Sequence, residues 1–158
     1  MNIVAGMAVG IAATFAALSA AASPFPDGGI TADQVAGVLR DKGYASDIGK
    51  DDQGDPRIKS AVDGGAFYIY FYGCNGGPRC TGIQFEAAFH LKGGMPLAKI
   101  NDWNKTHRWG RAYLDEVMDP YVEMDVDAEH GFTSEALGAN LDTWNTLLPS
   151  FKKFIGWE

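Results

Sequence analysis

The stretch Ala66-Phe67-Tyr68-Ile69-Tyr70-Phe71-Tyr72-Gly73-Cys74, with Cys80-Thr81-Gly82-Ile83-Gln84-Phe85-Glu86-Ala87-Ala88-Phe89-His90 beyond the loop Asn75-Gly76-Gly77-Pro78-Arg79, decides the fold. Its first half alternates strictly. Phe67, Ile69 and Phe71 point one way, and Tyr68, Tyr70 and Tyr72 the other. The second half alternates too, with Ile83, Phe85, Ala87 and Phe89 set against Gln84, Glu86, Ala88 and His90. If Cys74 faces Cys80, the register pairs Phe71 with Ile83, Ile69 with Phe85 and Phe67 with Ala87. Both apolar sets then share one face, and a one-residue slip would split them. The other face carries Tyr68, Tyr70, Tyr72, Gln84 and Glu86. A tyrosine row combines apolar area with hydroxyl handles, which suits a binding surface. It would equally suit packing beneath a helix, a loop or a dimer partner.

Cys74 and Cys80 are the only cysteines of the chain, and the N-terminal residues bear on their state. Residues 1–22 hold no charged side chain, and Ile3 to Leu18 is an apolar run ending at the small residues Ala20-Ala21-Ala22. This reads as a signal peptide cleaved after Ala22, which implies a periplasmic or secreted protein. An uncleaved anchor is the alternative, since about 20 apolar residues can span a bilayer. After export the two cysteines are expected to form a disulfide. A zinc site would need two more ligands, and His90, His107 and His130 show no ligand spacing.

Roughly 136 residues remain beyond the signal, enough for one domain with its own core. The chain is 46% hydrophobic and 12% aromatic, and its net charge is −7. An acidic chain without a basic cluster argues against nucleic acid and anionic membranes as partners. Residues 23–29 read as a flexible lead, and residues 30–158 as one α+β domain, soluble after signal cleavage.

Outward from the hairpin, Thr31 and Gln34 form a capping box, Ile30 can staple against Val35, and Val35, Val38 and Leu39 make a helical stripe ending at Gly43. Tyr44 to Ile48 reads as a short strand and Arg57 to Val62 as another, turning at Asp63-Gly64-Gly65. The polar loop from Lys50 to Pro56 lacks the alternation and closing Glu of a calcium loop. Pro96 opens a second helix in its first turn, with Leu97, Ile100 and Trp103 inward. Arg111–Asp115 and Tyr121–Asp127 form a hairpin, with Val122, Met124 and Val126 inward and Glu123, Asp125 and Asp127 outward. Thr133 or Ser134 caps a last helix whose stripe is Leu137, Leu141, Trp144, Leu148, Phe151 and Ile155. Pro149 should kink or break it near Asn145.

The remaining site signals are weaker. The three outward carboxylates lie about 6.6 Å apart from one to the next, too far to share a proton unaided. They read as a solvated acidic face balanced by Arg111, in preference to a metal patch. Asn101, Trp103, Asn104, Arg108 and Arg111 are candidate binding residues, although asparagines at a helix end commonly satisfy backbone groups. Catalysis at His107 would need a neighbouring carboxylate and nucleophile, and no nucleophile motif is present. No catalytic residue, metal ligand or cofactor is assigned.

Three segments in order carry a resemblance: Phe71-Tyr72-Gly73-Cys74 with Cys80-Thr81-Gly82-Ile83-Gln84-Phe85; Ile100-Asn101-Asp102-Trp103-Asn104 with Arg108-Trp109-Gly110-Arg111-Ala112-Tyr113; and Pro120-Tyr121-Val122-Glu123-Met124-Asp125-Val126-Asp127. Over roughly residues 30–156 the chain resembles the YbjN-type domain, a family described as bacterial sensory transduction regulators. The resemblance implies an α-β-β-β-α-β-β-α fold like that of type III secretion chaperones, whose members dimerise and bind peptide segments. Those chaperones are cytosolic, whereas this chain reads as exported. The expectation is therefore a non-enzymatic protein- or peptide-binding module of the cell envelope, with homodimerisation as an expected assembly. A small-molecule sensor and, behind it, a metal-assisted hydrolase are the alternatives.

Overall fold

The computed structural model describes residues 24–157 except Asp27. The expected signal, residues 1–22, lies outside the described residues. The elements are α1 (Ala32–Asp41), β1 (Asp47–Lys50), β2 (Pro56–Val62), β3 (Gly65–Tyr72), β4 (Gly82–Ala88), α2 (Leu97–Thr106), β5 (Arg111–Leu114), β6 (Pro120–Asp127) and α3 (Ser134–Ile155). All strand pairs are antiparallel, in the order β1-β2-β3-β4-β6-β5. This is the expected α+β order with β1 as a minor edge strand, placed at Asp47–Lys50 and not at Tyr44–Ile48.

The central hairpin has the register read from its cysteines. Ile69 pairs with Phe85 and Phe71 with Ile83, while the ladder's last pair is Tyr68 with Glu86, so Phe67 and Ala87 lie just past it. Cys74 and Cys80 are joined by a disulfide. Phe67, Ile69, Phe71, Ile83, Phe85, Ala87, Val122, Met124 and Val126 are all buried on one face. Fully burying each such large side chain contributes about 1.5–3 kcal/mol.

Helix α3 covers that face. Its entire expected stripe is buried, and Trp144 meets the rings of Phe67 and Phe85 at 5.7 and 5.5 Å. Pro149 neither breaks nor ends this helix, which is continuous to Ile155. Proline denies the Asn145 carbonyl its N–H partner, but Leu148 and Phe151, on either side of it, are fully buried. Packing outweighs the lost bond. Helix α1 keeps its capping box, with Thr31 N donating to Gln34 Oε1 at 2.9 Å and Gln34 N to Thr31 Oγ1 at 3.3 Å.

In α2, Pro96 is the extended N-cap and not a first-turn residue. Ile100 and Trp103 are buried as expected, but Leu97 is 62% exposed, because the first turn stands clear of the core that α2 meets one turn later. The helix ends at Thr106, ahead of Gly110. The segment read as a flexible lead is tied to the domain. Pro24 bridges Thr133, Phe25 N donates to Phe132 O at 2.8 Å, and Ile30 bridges Cys80. Gly29 has φ +108, and a Cβ there would collide with the Cys80 carbonyl. Among the described residues, no helix is long and apolar enough to cross a membrane.

Candidate functional site

The strand parity that buries Phe67, Ile69 and Phe71 sends Tyr68, Tyr70 and Tyr72 to the other side, where no helix lies among the described residues. Register extends this open face across the sheet: Arg57 and Lys59 from β2, Gln84 and Glu86 from β4, Glu123, Asp125 and Asp127 from β6, Arg111 from β5. Tyr113 and Tyr121 pair on the same face and their rings stack at 5.0 Å. Sequence reading did not single out these two tyrosines. The available signal was parity, since Tyr113 is two residues from Arg111 and Tyr121 two from Glu123.

Two polar belts cross the face. In the first, the Arg57 guanidinium lies 4.7 Å from the Tyr68 ring, and Arg57 stands opposite Tyr70 in register. Glu86 faces Glu123 across the ladder, and Glu123 accepts from Arg111. In the second, Tyr72 donates to Gln84 Oε1 at 3.3 Å, and Gln84 Nε2 donates to Asp125 Oδ1 at 2.7 Å. Glu123, expected to face outward in solvent, is 6% exposed. It does lie on the open face, but its neighbours Arg111, Gln84, Glu86 and Tyr113 close over it. Glu123 is thus the buried member of an ion pair whose Arg111 partner stays exposed, and of the three carboxylates only Asp125 and Asp127 are exposed.

The electrostatics follow from this crowding. Burial, then the facing Glu123, push the Glu86 carboxyl above the ordinary carboxylate range. Burial and the nearby carboxylates also raise the Tyr70, Tyr72, Tyr113 and Tyr121 hydroxyls, which therefore stay protonated as hydrogen-bond donors. Glu123 raises Arg111, so its charge is permanent.

The α2–β5 candidates divide. Trp103 is fully buried and donates from Nε1 to the Gly110 carbonyl at 3.3 Å. It is a core residue. Asn104 clamps the outer edge of β5, donating to Ala112 O at 3.0 Å and accepting from Ala112 N at 2.9 Å. Asn101 and Arg108 are exposed. Arg111 joins the open face. His107 stacks on Trp103 at 3.6 Å, with Nδ1 held between Trp103 O and Thr106 Oγ1. It shares a shallow hollow with Arg111, Glu123 and Asp125, but its own hydrogen-bond partners are Trp103 and Thr106. His90 instead pairs with Asp119 at 2.7 Å on the surface. Among the described residues, no three His, Cys, Asp or Glu side chains converge as a metal-holding group.

Comparison with known proteins agrees with this architecture. The chain belongs to the YbjN family, whose description reads "Putative bacterial sensory transduction regulator", matched over residues 31–157. Among solved structures it is similar to the Yersinia pestis type III secretion chaperone SycH, crystallised in complex with a stable fragment of YscM2. The TM-score is 0.50 and the identity 9%, with 80% of this chain and 98% of that chain covered. At that identity the likeness concerns the fold. No curated protein matches the chain.

Proposed function

We propose that this chain is a non-enzymatic protein- or peptide-binding module, regulatory or chaperone-like, that engages its partner through the open face of its sheet. One observation carries the reading. Among the described residues, the helices pack on one side of a six-stranded sheet, and its other side carries five tyrosines around the Arg111–Glu123 ion pair and the Tyr72–Gln84–Asp125 hydrogen bonds. A face built only for solubility would not need tyrosines, which supply contact area at low entropic cost. Family membership supports a regulatory role, and the fold is one in which SycH was crystallised with a protein fragment. The hydrogen-bond partners of His107, the Trp103 carbonyl and the Thr106 hydroxyl, include no carboxylate to orient it as a catalytic base. The apolar residues 1–22 and the Cys74–Cys80 disulfide support export to the envelope.

Tyr68→Ala combined with Tyr70→Ala should abolish capture of the partner while circular dichroism and melting stay near wild type. Unchanged capture would remove the tyrosine face from the account.

A further inference from the structure

One end of the open face differs from the rest. Tyr72, the last residue of β3, is 51% exposed, the most exposed tyrosine of the face. A hollow lies on each side of it. One is lined by Asp51, Asp52 and Asp55 of the β1–β2 loop together with Tyr70 and Tyr72. The other is lined by Tyr72, Asp125, Asp127 and Glu129. Neither lining contains a lysine or arginine. Among the described residues, the ion pairs leave out Asp51, Asp52, Asp55, Asp125 and Asp127 entirely, and Glu129 meets only His130, at 3.8 Å.

From this geometry we infer that the Tyr72 end of the sheet docks an extended, lysine- and arginine-bearing segment of a partner protein, with cationic side chains seated in the two carboxylate hollows that flank the tyrosine. The inference rests on the open-face reading and names the chemistry of its partner. Charge complementarity selects the occupant. The carboxylates are divided between two hollows and do not converge on a point, as a metal ion would require. A nucleic acid or acidic segment would be repelled. An extended chain projects alternate side chains about 6.6 Å apart on one side, so cations two or four residues apart can straddle one ring. The exposed Tyr72 ring offers a cation–π surface between them.

Fluorescence anisotropy with labelled ten-residue peptides tests this on the disulfide-intact protein. One peptide alternates Lys/Arg with Ser, a second replaces the cations by Glu, and a third is all Ser. The basic peptide should bind, and weaken as salt rises. The variant Asp52→Asn/Asp125→Asn/Asp127→Asn keeps one acceptor oxygen at each position, enough for the bonds that Asp125 and Asp127 accept from Gln84 Nε2 and Glu129 N, and should bind it about tenfold less tightly. Its melting temperature reports whether the fold is intact. Equal binding of the three peptides, no binding of the basic one, or an unchanged variant overturns the inference. Amide shift mapping separates the two levels of the account. A neutral peptide mapping to β3, β4 and β6 leaves the open-face reading standing without its charge preference. Peptide shifts confined to the helical layer defeat both.

Discussion

Glu86 and Glu123 stand opposite one another across β4 and β6 on the solvent side of the sheet, and Arg111 from β5 binds only the second. Two carboxyls facing each other is a poor arrangement for stability alone. Burial first, then the facing Glu123, leaves Glu86 with a raised pKa. In the window between its unfolded and folded pKa values the native state holds more protons than the unfolded chain. This contribution to stability is therefore lost as pH rises through that window. Urea unfolding across the mildly acidic range should show that decline in wild type, and a flatter profile for Glu86→Gln. Parallel profiles would contradict the assignment.

The His90–Asp119 pair runs the other way at each end. Asp119 is lowered, by the Leu91 amide first and His90 second, so its contribution fades as pH falls through its folded pKa. His90 is raised by Asp119, so its contribution fades as pH rises through its folded pKa. His90→Ala should remove the alkaline-side loss and leave the acidic-side loss that the Leu91 amide causes. His90 is exposed, so the amplitude of its loss should be small. A variant that retains the alkaline-side loss would contradict the pairing.

Asn104→Ala should cost about 1–3 kcal/mol, because both backbone groups of Ala112 lose their partner at a sheet edge. Hydrogen exchange at the Ala112 amide should accelerate beyond the global change. An unaltered Ala112 amide would show that the clamp is incidental.

Much of this architecture was legible in residue order. Spacing between Cys74 and Cys80 and the alternation on both sides of it agree on one register, so the hairpin could be read without a third dimension. The stripe of α3 was equally plain. What escaped was decided by packing between distant segments. Pro149 signals a break locally, but the burial of Leu148 and Phe151 overrides it. Glu123 looks solvated in its own strand and becomes buried only because Arg111, Gln84 and Tyr113 arrive from neighbouring strands. Asn104 lies eight residues from the Ala112 it clamps, a pairing that no helix periodicity announces. Tyr113 and Tyr121 join the tyrosine row only once the strand order β3-β4-β6-β5 is known.

Pro149→Ala should raise stability by about 1–3 kcal/mol, since it restores the bond to the Asn145 carbonyl within an unbroken helix. Denaturant unfolding gives the number. A loss of stability would show that the ring's own packing outweighs the missing bond.

Cys74→Ser with Cys80→Ser should lower the unfolding free energy by about 2 kcal/mol on the chain-entropy estimate for a short loop. It should also loosen the Ile30–Cys80 bridge, which holds by two bonds of 2.9 Å. Faster exchange at the Ile30 amide would report this. An unchanged Ile30 amide would place the anchor of residues 24–30 elsewhere.

The central claim is that the bare side of the sheet, and not the helical side, meets the partner. Site-specific photo-crosslinking in the source cells tests it most directly, with a photoreactive residue placed in turn at Tyr72, Tyr121 and Asp142, an exposed position on α3. The account predicts the same crosslinked partner from Tyr72 and Tyr121 and none from Asp142. A partner caught from Asp142 alone would contradict it.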